Sequence, residues 1–82
     1  MVNYAKGDDL MYYTRRLKEI REDRDLTQED LAKVLQVKQQ QYQRWESGVN
    51  KLSAENLIAL CKFYNLSADY LLGLTDQEKN YK

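Results

Sequence analysis

Between Leu10 and Arg24 the residues that can face a core return at steps of three and four, at Leu10, Tyr13, Leu17, Ile20 and Arg24, with charged residues filling the positions between. That spacing lays one narrow stripe along an amphipathic helix and predicts that the helix runs to about Asp25. Thr27 then stands where an N-cap belongs. Gln28, Glu29 and Asp30 follow it, and acidic groups there complement the open N–H ends of a first turn, so a second helix is expected from Gln28 to about Leu35. A new helical period begins at Lys38, carries Tyr42 and Trp45 on one face, and stops at Ser47 and Gly48, a glycine suited to a left-handed C-terminal cap. Ser53 caps a fourth helix in which Leu57, Leu60, Cys61 and Tyr64 keep helical spacing, with its end near Asn65; Ser67 caps a short fifth helix, Ala68 to Leu72, ended by Gly73. Nothing reads as a series of strands. The expected architecture is all-α, a compact bundle of five short helices over residues 10–74, with a flexible N-terminal arm at 1–9 and a polar C-terminal tail at 75–82 that has no apolar face to bury.

Only Gln36 and Val37 separate the second and third helices. They are too few for an antiparallel hairpin but enough for two helices crossing steeply, which is a helix-turn-helix. Leu31, Leu35, Val37, Tyr42 and Trp45 would fill the angle, with Ala32 where the helices come closest. The outward positions of the third helix are then Lys38, Gln39, Gln40, Gln43 and Arg44, long donors and acceptors with no carboxylate among them. Such a face fits the edges and phosphates of DNA.

Composition removes most other chemistry. With 82 residues there is room for one core, and with no His and one Cys there is no zinc cluster, no nucleophile paired with imidazole and no neutral-pH imidazole base. Gly7, Gly48 and Gly73 stand far apart, so no phosphate-cradling loop is present. The chain is accordingly expected to be no enzyme and to need no cofactor, metal or small-molecule ligand. No apolar stretch approaches the ~20 residues that span a bilayer, no secretory signal pattern opens the chain, and the lone Cys61 supports no disulfide framework, so a cytoplasmic location is expected.

Overall charge gives DNA binding no help, because 13 basic and 13 acidic residues cancel. Its distribution does. From Lys38 to Lys51 three cations, Lys38, Arg44 and Lys51, face the single anion Glu46, a net charge of +2, whereas the flanking segments are each slightly acidic.

Several ordered blocks, Leu17-Lys18-Glu19-Ile20-Arg21, Leu26-Thr27-Gln28-Glu29-Asp30-Leu31-Ala32, Tyr42-Gln43-Arg44-Trp45-Glu46-Ser47-Gly48 and Leu66-Ser67-Ala68-Asp69-Tyr70-Leu71-Leu72-Gly73, resemble the Cro/C1-type, or XRE, helix-turn-helix family of phage repressors and bacterial regulators. The resemblance covers about residues 12 to 74. It implies a lambda repressor-like five-helix domain, a homodimer on a two-fold operator of double-stranded DNA, and control of transcription, as a repressor. It also implies residue roles. Gln39 and Gln40, a pair similar to that of the phage 434 repressor type, would read bases; Gln43 and Arg44, one turn further along and also expected as base readers, lie within reach of bases or phosphates. Gln28 would hold a phosphate, and Arg21 and Glu46 would form a structural ion pair. Beside the resemblance, Lys38 and Lys51 are expected to meet phosphates as local cations, and the Tyr42 hydroxyl either finds a partner with its ring buried or reaches a phosphate. A glutamine amide can pair bidentately with adenine, so adenines are expected at the read positions. The chain departs from the family at Gln36, where glycine is usual and a left-handed conformation or a shifted turn is required, and at Tyr42, where a β-branched aliphatic residue is usual.

Plainer readings exist for several residues. Gln39 to Gln41 are good helix formers on any solvated face, and Arg15, Arg16 and Lys18 on the first helix, beside Glu19, Glu22 and Asp23, read equally well as a solvated face or as backbone contacts. Cys61 and Trp45 are simplest as core. Phe63, Tyr70, Leu71, Leu72 and Leu74 either close the core or supply a dimer contact. A second functional reading keeps the fold but makes it a protein-interaction module of the antitoxin or adaptor kind, which zero net charge would favour.

Overall fold

In the computed structural model the described residues are 7–81, with side chains described from Tyr13 onward. They form α1 (Gly7–Asp23), α2 (Gln28–Leu35), α3 (Gln39–Ser47), α4 (Ala54–Tyr64) and α5 (Ala68–Leu71), and no strand occurs among them. Helix α1 starts three residues before the expected Leu10, so residues 7–9 belong to it and the rest of the expected arm lies outside the described residues.

The capping chemistry is local and sits where the sequence puts it. Thr27 accepts from the Asp30 N–H at 3.0 Å while the Asp30 carboxylate accepts from the Thr27 N–H at 2.9 Å, a reciprocal capping box. Ser53 and Ser67 cap α4 and α5 through the N–H groups of Asn56 and Tyr70. The C-terminal ends of α1, α2 and α4 follow one recipe. Asp25, Gln36 and Asn65 each adopt positive φ, at 56°, 58° and 54°, and the next residue's N–H reaches back to a carbonyl five residues earlier: Leu26 to Arg21, Val37 to Ala32, Leu66 to Cys61. These are Schellman turns, and the apolar residue after each left-handed position folds inward. Gln36 thus accepts the left-handed conformation where the family has glycine, and the turn between α2 and α3 keeps its short form.

The core is built from Leu17 and Ile20 of α1, Leu31, Ala32 and Leu35 of α2, Tyr42 and Trp45 of α3, Leu60, Cys61 and Tyr64 of α4, then Leu66 and Leu71. Ala32 is almost fully buried in the core. Trp45 and Tyr42 pack edge to face, ring centroids 6.3 Å apart. The Tyr13 hydroxyl accepts from the Leu52 N–H at 3.1 Å and ties α1 to the α3–α4 connection. Of the surplus apolar residues, Leu71 closes the core, Tyr70 and Leu72 are half-buried, and Phe63 and Leu74 stay exposed.

The C-terminal tail does not hang loose as expected. Lys79 accepts from the Ser67 N–H at 2.8 Å, Tyr81 packs against the core, and its N–H bonds Asn65 Oδ1. Arg16 supplies the anchor: its guanidinium lies 4.3 Å over the Tyr70 ring and donates to the carbonyls of Tyr70 and Thr75 at 2.8 and 3.2 Å and to Asp76 at 3.0 Å. Arg24, over the Tyr64 ring at 5.2 Å, also approaches Glu78 at 3.8 Å. A polar segment is held through its backbone, which a search for apolar periodicity does not see.

Candidate nucleic-acid interface

Helix α3 divides cleanly into two faces. Tyr42, Trp45 and Glu46 are buried, while Lys38, Gln39, Gln40, Gln43, Arg44 and Ser47 are exposed and Gln41 is half-exposed. Lys38 is the N-cap residue rather than the first helical residue expected, and it makes no side-chain cap. With no acidic residue in the first turn, the start of α3 presents open backbone N–H groups and no negative charge. Gly48, with a φ of 83°, makes the left-handed cap expected of it, and Lys51, three residues further along the chain, is exposed. The base-reading candidates Gln39, Gln40, Gln43 and Arg44 and the phosphate candidates Lys38 and Lys51 are therefore all open to solvent.

Tyr42 does not belong to that set. Its relative exposure is 0%, so the phosphate contact expected of it is corrected: a ring filling the angle between α2 and α3 cannot reach a duplex. Its hydroxyl makes no hydrogen bond of full geometry; a looser contact with Glu46 acts on both groups. Burial, and then the Glu46 carboxylate, drive the Tyr42 phenol far above its ordinary pKa. Burial likewise pushes Tyr64 up to about 12.

Glu46 faces inward because Arg21 meets it there. The guanidinium grips the carboxylate with both arms, Nε to Oε2 at 2.7 Å and Nη2 to Oε1 at 3.1 Å, and donates through Nη1 to the Leu26 carbonyl at 2.7 Å. The pair joins the end of α1, the turn before α2 and the end of α3. Burial acts to raise the Glu46 pKa, but the bonds from Arg21 and Gln28, with the looser contact from Tyr42, outweigh it and hold the carboxyl below its usual range. Arg21 is raised, chiefly by that same carboxylate and against its own burial.

Gln28, expected at a phosphate, opens α2 beside this pair. Its Nε2 donates to Glu46 Oε1 at 3.1 Å, so the side chain already has one internal partner and keeps one N–H hydrogen for another. Around it lies an open cleft of about 220 Å³ lined by Lys18, Gln28, Gln43, Glu46 and Ser47. The cations of α1 that read alike in the sequence separate here: Arg16 turns to α5 and the tail, and Lys18 turns to the cleft. Helical spacing carries that signal, because residues two apart fall on opposite sides. Among the described residues no group of His, Cys, Asp and Glu side chains could hold a metal ion, and no helix is long and apolar enough to cross a membrane.

Comparison with known proteins agrees with this architecture. A family model described as helix-turn-helix matches residues 17–71. An uncharacterized HTH-type transcriptional regulator YobD of Bacillus subtilis (strain 168) is 36% identical over 64 residues, covering 78% of this chain and 57% of the relative. The HTH-type transcriptional activator BcrR of Enterococcus faecalis is 36% identical over 62 residues, covering 76% of this chain and 30% of its own length. The chain thus spans between about a third and somewhat over half of these relatives. No solved structure matches it significantly.

Proposed function

Because the chain belongs to the Cro/C1-type helix-turn-helix family, we propose that it is a transcriptional regulator that binds double-stranded DNA sequence-specifically, with α3 in the major groove. The observation that carries this reading is the solvent face of α3. Every long side chain on it is a cation or an amide, and the helix's one carboxylate is buried and paired with Arg21. A protein whose formal net charge is zero would otherwise attract DNA weakly.

In this reading Gln39 and Gln40 pair with base edges, adenine being the best fit for an amide. Gln43 and Arg44 sit further along the groove. Lys38, Lys51 and the free N–H of Gln28 hold phosphates and fix the register. The protein acts as a homodimer on a two-fold operator, with its reading helices about 34 Å apart, one turn of B-DNA, and exposed Phe63 and Leu74 are available to such a contact. It represses transcription from the cytoplasm, with no catalytic step and no cofactor. The names of the relatives support regulation without fixing its sign, since one of them is an activator.

Selection of bound duplexes from a random pool, followed by titration of a selected and a random duplex across a salt series, tests this reading. The expected result is an enriched two-fold site bound far better than random DNA, with a negative salt slope. A flat salt response with no enriched sequence would favour an antitoxin or adaptor-like role.

A further inference from the structure

The geometry points to Lys18 as a further DNA-contacting residue, reaching from α1 over the cleft to a backbone phosphate seated against the start of α2. This rests on the DNA-binding reading above and enlarges its footprint from α2 and α3 to a third helix.

The cleft walls carry two formal charges, and only one is open. Glu46 is held at both oxygens by Arg21, at 2.7 and 3.1 Å, with Gln28 on Oε1, and its side chain is 3% exposed. Its charge is balanced in place, so it offers an incoming anion little repulsion. Lys18 is exposed and joins no ion pair among the described residues. The open cleft therefore presents one uncompensated cation. Of the other cleft-facing groups Gln28 suits an anion, with an amide hydrogen to spare, while the Ser47 hydroxyl already donates to the Arg44 carbonyl at 3.2 Å.

Placement matters as much as charge. Gln43 forms a wall of the cleft and also belongs to the solvent face of α3, so a duplex lying on that face brings its backbone to the mouth of the cleft. Arg16, two residues before Lys18, shows what a cation of α1 looks like when used internally: its side chain is 13% exposed and committed to Tyr70, Thr75 and Asp76. Lys18 has no such employment. A lysine acts on phosphate as a point charge without reading sequence, so its contribution falls equally on every duplex.

The test uses the full chain and measures anisotropy of labelled duplexes, one selected for binding and one random, from low to high salt. Lys18→Gln is compared with Lys33→Gln, which makes the same charge change at an exposed site in the last turn of α2, outside the cleft. Lys18→Gln is expected to weaken both duplexes by a similar factor, roughly tenfold at low salt, and to lower the salt slope by about 0.9 for each bound subunit. Lys18→Arg should keep both values, and Lys33→Gln should keep the slope. A wild-type slope in Lys18→Gln, with the wild-type protein still preferring its selected duplex, overturns the role of Lys18 and leaves the DNA-binding reading intact. A loss confined to the selected duplex also overturns it, by making Lys18 a base reader. If the wild-type protein shows neither salt-dependent binding nor an enriched site, both ideas fall together.

Discussion

Replacing Glu46 with alanine removes one half of a buried ion pair and leaves the other half in place. The Arg21 guanidinium would keep the Leu26 carbonyl at 2.7 Å and the distant Glu22 carboxylate at 4.0 Å, but would lose the bidentate partner that balances its charge in a site where its own side chain is 10% exposed. Truncating one member of such a pair costs about 3–5 kcal/mol, mostly because the survivor stays buried without compensation. The whole stability of a domain of 82 residues is roughly 4–12 kcal/mol at the usual ~0.05–0.15 kcal/mol per residue. Glu46→Ala should therefore lose at least roughly a quarter of the domain's stability, and all of it if that stability lies at the low end of the range. The paired substitution Arg21→Met with Glu46→Leu removes both charges and should lie within about 1 kcal/mol of wild type, since apolar replacements of similar size are often neutral. Urea unfolding followed by far-UV circular dichroism gives each value directly. The reasoning is refuted if Glu46→Ala costs less than about 1 kcal/mol, or if the double variant is as unstable as the single one.

The same pair sets a pH dependence. The Glu46 carboxyl is depressed in the folded state, so its contribution is present above the unfolded carboxylate pKa of about 4.3 and disappears as pH falls through the lower folded value. Wild-type stability should decline from about pH 5 downward more steeply than that of the Arg21→Met, Glu46→Leu double variant, as urea midpoints at a series of pH values will show. Gln36→Gly should raise stability by up to about 1 kcal/mol, because a residue with a side chain is strained at φ 58° and glycine is not; an unchanged or lower urea midpoint would count against that strain. Ending the chain after Leu74 removes Tyr81 from the core and the Thr75 and Asp76 acceptors from Arg16, and should lower stability by about 1–2 kcal/mol. A loose tail would make that truncation silent.

The parts of the fold that depend on neighbouring residues in the chain were legible from the sequence. Thr27, Ser53 and Ser67 cap helices through hydroxyls placed a few residues from their partners, and Gly48 terminates α3 by its own conformational freedom. The stripe of Leu17 and Ile20 and the packing of Ala32 follow from helical period and side-chain size. The Arg21 to Glu46 pair joins residues 25 apart, and only family resemblance points to it. At Tyr42 helical spacing points the ring into the core while the hydroxyl points to the surface, and in the structure the ring is buried at 0% exposure. The tail escaped because its anchors are backbone carbonyls and a single aromatic residue. Arg16 and Lys18 are interchangeable as letters; only the position of α5 and of the cleft separates them.

The most direct measurement compares Gln39→Ala and Gln40→Ala with the wild-type protein on a selected duplex and on random duplex DNA. If α3 reads bases with this pair, each substitution should cost about 1–3 kcal/mol on the selected duplex and little on random DNA. Equal losses on both duplexes, or no loss on either, would contradict the reading and remove the Gln39 and Gln40 face from the recognition surface.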